Sequence, residues 1–259
     1  MSTRAEAVGA PSPGAPSPGA PPRGATPLSV IMPAYNEEEG IREAVGAVQA
    51  HVLTPYPGAE LVVVNDGSRD STGALLDEIA AADPRVRVVH KANGGHGPAI
   101  MRGLSEARGD FVFLIDSDNQ IPMEAFGSLW REVEAGHDGV FGVRRVRHDA
   151  EIRRVLTALI RASLRMLFGV SLYDANVPYK LLRRSLWQEA RRHIPDGTLA
   201  PSLFLAVFVM RRQCDIAFVD VPHKDRETGT VSIRRWKLIK FCWRAFRQLL
   251  QFRTSLQAT

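Results

Sequence analysis

The chain has 259 residues, 45% of them hydrophobic and 24% charged, with a formal net charge of +5. Such a composition suits a globular domain with a substantial core and excludes a fibrous or wholly disordered protein. Two cysteines are too few for a disulfide-stapled scaffold, no apolar run approaches the roughly 18 residues of a membrane span, and the N-terminus has no apolar core of signal-peptide type, which argues against secretion.

Residues 1–26 contain the near-repeat A-P-S-P-G-A-P-S-P-G-A-P-P. They cannot bury enough apolar surface to offset their conformational entropy, so a disordered tail is expected. Leu28 to Met32 reads as a strand ended by Pro33, and Glu37 to about Val52 as a helix with Ile41, Val45 and Val48 as its apolar stripe. Leu61 to Val64 is a second strand, closed by Asn65-Asp66-Gly67-Ser68. Asp70 or Ser71 can cap the next helix, whose stripe is Leu75, Leu76 and Ile79. Val86 to Val89 is a third strand, Gly97 to Ala107 a third helix, and Phe111 to Ile115 a fourth strand. Strands that are apolar throughout, in βαβαβαβ order, predict an α/β fold: a mostly parallel sheet with helices on both faces. Gly139 to Val143 reads as a fifth strand, and the next helix, with Arg153 and Arg154 near its start, carries the stripe Ile152, Val155, Leu156, Leu159 and Ile160.

Chemistry gathers where these strands end. Asp116 and Asp118 follow the fourth strand, at the sheet edge where open α/β folds bind ligands. Side chains two apart on extended backbone point the same way, so both carboxylates can grip one hard cation, with Gln120 as a third oxygen donor on the same spacing. Mg²⁺ or Mn²⁺ suits such oxygens and also binds substrate phosphates. Three more loops leave the same edge: Pro33 to Glu37, Asn65 to Asp70, and Lys91 to Gly97. Glu37 and Asp66 are acceptors suited to base or ribose hydroxyls, and the glycines of the third loop admit close backbone approach to a ligand. No Walker loop is present, and no G-x-G-x-x-G follows the first strand, which counts against a dinucleotide oxidoreductase.

V-I-M-P-A-Y-N-E-E at 30–38, V-V-N-D-G-S-R-D-S-T at 63–72, N-G-G-H-G-P-A at 93–99 and D-S-D at 116–118 together resemble the family 2 glycosyltransferases of GT-A fold. Within them the chain looks most like polyprenyl-phosphate sugar transferases such as dolichol-phosphate mannose synthases. The resemblance runs from Leu28 to about Gly142 and implies inverting transfer from a nucleotide-sugar donor. It puts Pro33, Tyr35 and Glu37 at the base and ribose and Asp66 at the base, and it draws Asn93, Gly97 and Ser117 into the donor site. Asp116 would face the nucleotide and metal, and Asp118 would hold the metal bridging the diphosphate. The D-x-D-x-Q pattern includes Gln120, although Ile121-Pro122 stands where paired prolines are usual.

The second half supplies cations. Arg144 follows the fifth strand, and Arg153 sits near the start of the next helix. Residues 223–232 resemble the family's H-x-x-R-x-x-G-x-S segment, in which Arg226 and Ser232 suit phosphate binding. Asp174 to Lys180 resembles its D-x-x-x-G-x-K acceptor-side segment, with Pro178 in place of the glycine. The predicted organisation is a donor-binding subdomain at 27–143, an acceptor-side subdomain at 144–233 and a basic amphipathic helix at 234–259. Trp236, Ile239, Trp243, Phe246 and Leu250 share one face of that helix, with Lys237, Lys240, Arg244 and Arg247 beside them. That pattern suits an anionic membrane surface. The expected acceptor is polyprenyl phosphate, reached from the cytoplasmic face by a peripherally bound enzyme. A soluble metabolite or glycan is the alternative acceptor. A nucleotidyltransferase would need a glycine-rich loop where Pro33 to Glu37 stand, and nucleic acid is not an expected partner because the edge acids repel phosphodiesters.

Overall fold

A computed structural model describes residues 28–144, 151–172, 177–222 and 235–258; within two helices the side chains of 151–156 and 235–242 fall outside that description. The strands are β1 (Leu28–Ala34), β2 (Glu60–Asn65), β3 (Val86–His90), β4 (Phe111–Leu114), β5 (Gly139–Val143), β6 (Lys180–Arg183) and β7 (Ile216–Asp220). The helices are α1 (Ile41–Val48), α2 (Thr72–Ala82), α3 (His96–Glu106), α4 (Phe126–Glu134), α5 (Glu151–Phe168), α6 (Arg184–Arg191), α7 (Pro201–Arg211) and α8 (Arg235–Gln257).

The strands form one sheet in the order β3-β2-β1-β4-β6-β5-β7. Pairing is parallel except where β6 runs against both β4 and β5. From β1 the chain winds out to β2 and β3 and then returns to place β4 on the other side of β1. That reversal opens a crevice at the carboxyl ends of β1 and β4, as doubly wound sheets require.

Leu28, Val30, Leu61, Val63, Phe111 and Phe113 point to one face, where α1, α2 and α4 cover them. Ile31, Val62, Val64, Val112 and Leu114 point to the other, under α3, α5, α6, α7 and α8. Burial on both faces explains why these strands are apolar without alternation. The apolar run from Leu203 to Val209 is buried all round as α7, the position such a helix takes in a core.

Four sequence expectations change. β1 does not stop at Pro33 but runs to Ala34, with Pro33 opposite Val64. The Pro33 nitrogen faces the β4 side, where pairing has already ended at Leu114, so the missing N–H breaks no ladder bond. α1 begins at Ile41 rather than Glu37, because Glu37 N–H donates to Thr72 Oγ1 and the Glu37 carbonyl closes a turn onto Gly40 and Ile41. After Val48 the helix loosens into a π turn through Leu53. Leu159 leaves its expected stripe: Ile160, Leu164 and Phe168 form the inward face of α5, and Leu159 is 60% exposed.

Candidate active site

The first two sheet-edge loops are laced to each other. Asn36 N–H donates to Ser68 Oγ at 3.0 Å, and Asn36 Oδ1 accepts from Arg69 N–H at 2.8 Å. Glu38 Oε2 accepts from Ser71 N–H. Asp70 Oδ1 accepts from both the N–H and the hydroxyl of Thr72, so Asp70 rather than the Ser71 side chain caps α2. The third loop is drawn in by Asp66. Its buried carboxylate accepts from Gly94 N–H at 3.0 Å and Gly95 N–H at 2.7 Å, and it pairs with Lys91. Gly95 adopts φ +92°, a conformation that glycine enters without steric cost. Asn93 Nδ2 donates to the Asp66 carbonyl at 2.9 Å.

These loops and the one after β4 enclose a cleft of about 380 Å³. It is lined by Pro33, Tyr35, Glu37, Asp66, Asn93, Asp116, Ser117 and Asp118, together with Ala34, Gly95, His96 and Ala99. Eight residues singled out in the sequence therefore line one cleft. Of the other four, Gly95 is among the loop glycines expected to approach a ligand, and Ala34, His96 and Ala99 were not assigned to the site. Alanines carry no chemical signal, and His96 reads from the sequence as a candidate ligand or base of a kind that is more commonly a structural histidine.

Asp116 is strongly perturbed. Its side chain is 32% exposed, yet Oδ1 has no solvent contact and no hydrogen-bond partner among the described residues. Burial pushes its carboxyl up to about 6; His96, 3.7 Å from Oδ1, pulls it down, Asp118 adds to the rise, and Arg144 and Lys180 oppose it. A buried carboxylate oxygen without a donor, beside a second carboxylate, is what a hard cation satisfies. The described residues hold no cluster of three or more His, Cys, Asp or Glu side chains suited to a metal. Two carboxylates leave coordination positions for diphosphate and water, the usual manner of Mg²⁺.

Other expected site residues lie elsewhere. Gln120 is outside the lining of the cleft, and its backbone N–H donates to Asp118 Oδ1 at 3.2 Å. Gly97 is buried against the loop before α7: a Cβ there would stand 1.9 Å from the Thr198 carbonyl oxygen. The close approach that this glycine permits is to protein backbone. Lys180 is fully buried, donating to the Val177 carbonyl and to Ser202 Oγ at 2.8 Å. Arg144 lies near enough to act on the charge of Asp116. Arg226, Ser232 and the Arg153 side chain lie outside the described residues.

Residues 29–200 match the family model described as Glycosyl transferase family 2. The chain belongs to that family. An undecaprenyl-phosphate 4-deoxy-4-formamido-L-arabinose transferase of Pseudomonas fluorescens is 33% identical over 217 residues, covering 82% of this chain and 62% of its own. One from Shewanella sediminis is 32% identical over 208 residues, covering 78% and 60%. The chain thus spans about 60% of the length of these family 2 relatives. Among solved structures, glucosyl-3-phosphoglycerate synthase of Mycobacterium tuberculosis with bound UDP superposes with a TM-score of 0.60 at 23% identity, over 89% of this chain and 80% of that one. Its complex with Mn²⁺, UDP-glucose and phosphoglyceric acid gives 0.59 at 22% identity, over 89% and 79%. At these identities the likeness establishes a shared fold, the GT-A architecture expected from the four motifs.

Proposed function

We propose that this protein transfers a sugar from a nucleotide-sugar donor to polyprenyl phosphate, with inversion at the anomeric carbon, at the cytoplasmic face of a membrane. The observation that carries the reading is the cleft at the carboxyl ends of β1 and β4, where a buried oxygen of Asp116 that has no hydrogen-bond donor among the described residues lies in the same lining as Asp118. The names of the relatives support the acceptor.

In this reading Tyr35, Glu37 and Asp66 receive the nucleoside, and Asp116 and Asp118 hold Mg²⁺ or Mn²⁺ against the diphosphate, with Gln120 the remaining candidate ligand. When bound there, the cation supplies positive charge to the leaving group as the bond breaks. An oxygen of the acceptor phosphate attacks the anomeric carbon, and the bond from that carbon to the diphosphate oxygen breaks with its electron pair. The phosphate is already an anion at neutral pH, so no side chain has to remove a proton at attack. Arg144, Arg153 and Arg226 are proposed to hold the attacking phosphate, with Ser232 on the same side. Residues 27–143 would serve the donor and 144–233 the acceptor.

No helix among the described residues is long and apolar enough to cross a membrane. Membrane contact is assigned to α8, where Trp243 and Leu250 stand 64% and 40% exposed. The inward face of that helix is a different one, built from Leu249, Phe252 and Leu256. Of the stripe read from the sequence, Trp243 and Leu250 are thus left open, and Phe246 is half-buried.

The test incubates purified protein with Mn²⁺, labelled nucleotide sugars and undecaprenyl phosphate in detergent. Organic-extractable label that vanishes on chelation and in Asp118→Ala is the expected result. Label transferred only to a water-soluble acceptor, as to a small phosphorylated acid, would overturn the acceptor assignment. Turnover by Asp118→Ala with unaltered metal dependence would overturn the site.

A further inference from the structure

Among the described residues, six large apolar side chains stand out into solvent, and four of them lie on α5 and α8. On α5 they are Leu159 and Met166, 60% and 72% exposed; on α8 they are Trp243 and Leu250. Each pair is seven residues apart, two helical turns, and so lies on one side of its helix. In both helices that side is opposite the packed one, because Leu164 and Phe168 of α5 and Leu249 and Phe252 of α8 are buried. Both helices are therefore apolar on two faces, of which the core uses one. They lie beside each other: the Phe168 and Phe252 rings meet at 5.8 Å, and Phe252 also packs on Phe204 of α7 at 5.0 Å.

The charge around these four side chains has one sign. Residues 157–168 and 243–257 contain five arginines, at 161, 165, 244, 247 and 253, and no acid. All five are exposed. Apolar anchors set among arginines on two adjoining helices match an anionic lipid surface, in which the anchors enter the acyl boundary and the guanidinium groups meet headgroups.

We propose that α5 and α8 together form one bilayer-docking face, with Leu159 and Met166 its α5 anchors and Trp243 and Leu250 its α8 anchors, and that its partner is an anionic membrane. The proposal rests on the lipid-acceptor reading and extends it, since the sequence assigned membrane contact to the C-terminal helix alone and counted Leu159 with the core stripe of α5.

The experiment is co-sedimentation of the full chain with vesicles of phosphatidylglycerol and phosphatidylcholine, free of polyprenol and donor. L159E/M166E and W243E/L250E should each weaken binding at least tenfold. F218E, which changes an exposed apolar residue on β7, should bind as wild type does. Vesicles of phosphatidylcholine alone should retain much less protein. Thermal melts check that each variant is folded, and L159S/M166S replaces the glutamate pair if that pair lowers the melting temperature. Binding by the α5 pair within twofold of wild type refutes the two-helix face. So does a wild-type chain that ignores vesicles and instead dimerises through these residues, as light scattering would show. Vesicles without acceptor or donor report binding apart from turnover, so failure of sugar transfer with intact binding counts against the proposed function and leaves the docking face standing.

Discussion

Asp116→Asn should stabilise the metal-free protein while abolishing its response to metal. In the folded chain the Asp116 carboxyl is pushed up to about 6 from its ordinary 3.8, chiefly by burial. An acid with a raised folded pKa binds more protons in the folded state than in the unfolded one. Stability is therefore lost as pH rises from about 3.8 through about 6, and the full cost remains above that window. The gap corresponds to about 3 kcal/mol. The side chain is about a third exposed, and solvent screening reduces that to about 1–2 kcal/mol. Asparagine removes the charge at similar volume, so at pH 8 without metal the variant should melt higher by roughly 3–6 °C. At pH 4, where the carboxyl is largely protonated in the folded chain, the two proteins should melt together. Mn²⁺ at 100 times its dissociation constant should raise wild-type stability by about 2.7 kcal/mol, and the variant should show almost none of this. Scanning calorimetry at both pH values, with and without Mn²⁺, measures all four states. A variant that melts lower at pH 8, or that keeps the wild-type Mn²⁺ shift, refutes the argument that Asp116 holds uncompensated charge for a cation.

Gly97→Ala should cost about 1–3 kcal/mol by overpacking, because its Cβ would meet the Thr198 carbonyl at 1.9 Å; a melting temperature equal to wild type would show that the loop before α7 yields. Ser29 is fully buried, donating to Glu60 Oε1 and accepting from the Arg108 and Gly109 amides. Ser29→Ala should therefore lower stability in urea by about 1–3 kcal/mol without altering Mn²⁺ affinity. Buried Gln248 joins α8 to the loop on α3, accepting from Leu199 N–H and donating to the Gly197 carbonyl. Gln248→Leu should speed amide exchange at Leu199 at least tenfold, and unchanged exchange would assign the loop's order to other contacts. Arg226→Ala should lower the transfer rate at saturating donor with little change in donor affinity; an unchanged rate would remove Arg226 from the proposed mechanism.

The first four strands and their helices were legible because burial on both faces imposes unbroken apolar runs that bounded turns separate, and the pattern survives in one dimension. The loops after those strands gather polar residues at one sheet edge, so Glu37, Asp66 and the D-S-D acids marked the cleft by their place after the strands, while Pro33, Tyr35 and Asn93 entered it through the resemblance to the family's motifs. What remained hidden depends on partners distant in the chain. β6 was invisible because four residues have no period to read, and its place between β4 and β5 comes from pairings more than thirty residues away. Gly97 and Lys180 looked like ligand-facing residues; only packing showed one against the Thr198 carbonyl and the other donating to Val177 and Ser202. On α5 and α8 the periodicity revealed apolar residues without saying which face the core would take. A helix carrying apolar residues on two sides has two equivalent ways to pack, and α7 and the neighbouring helices made the choice.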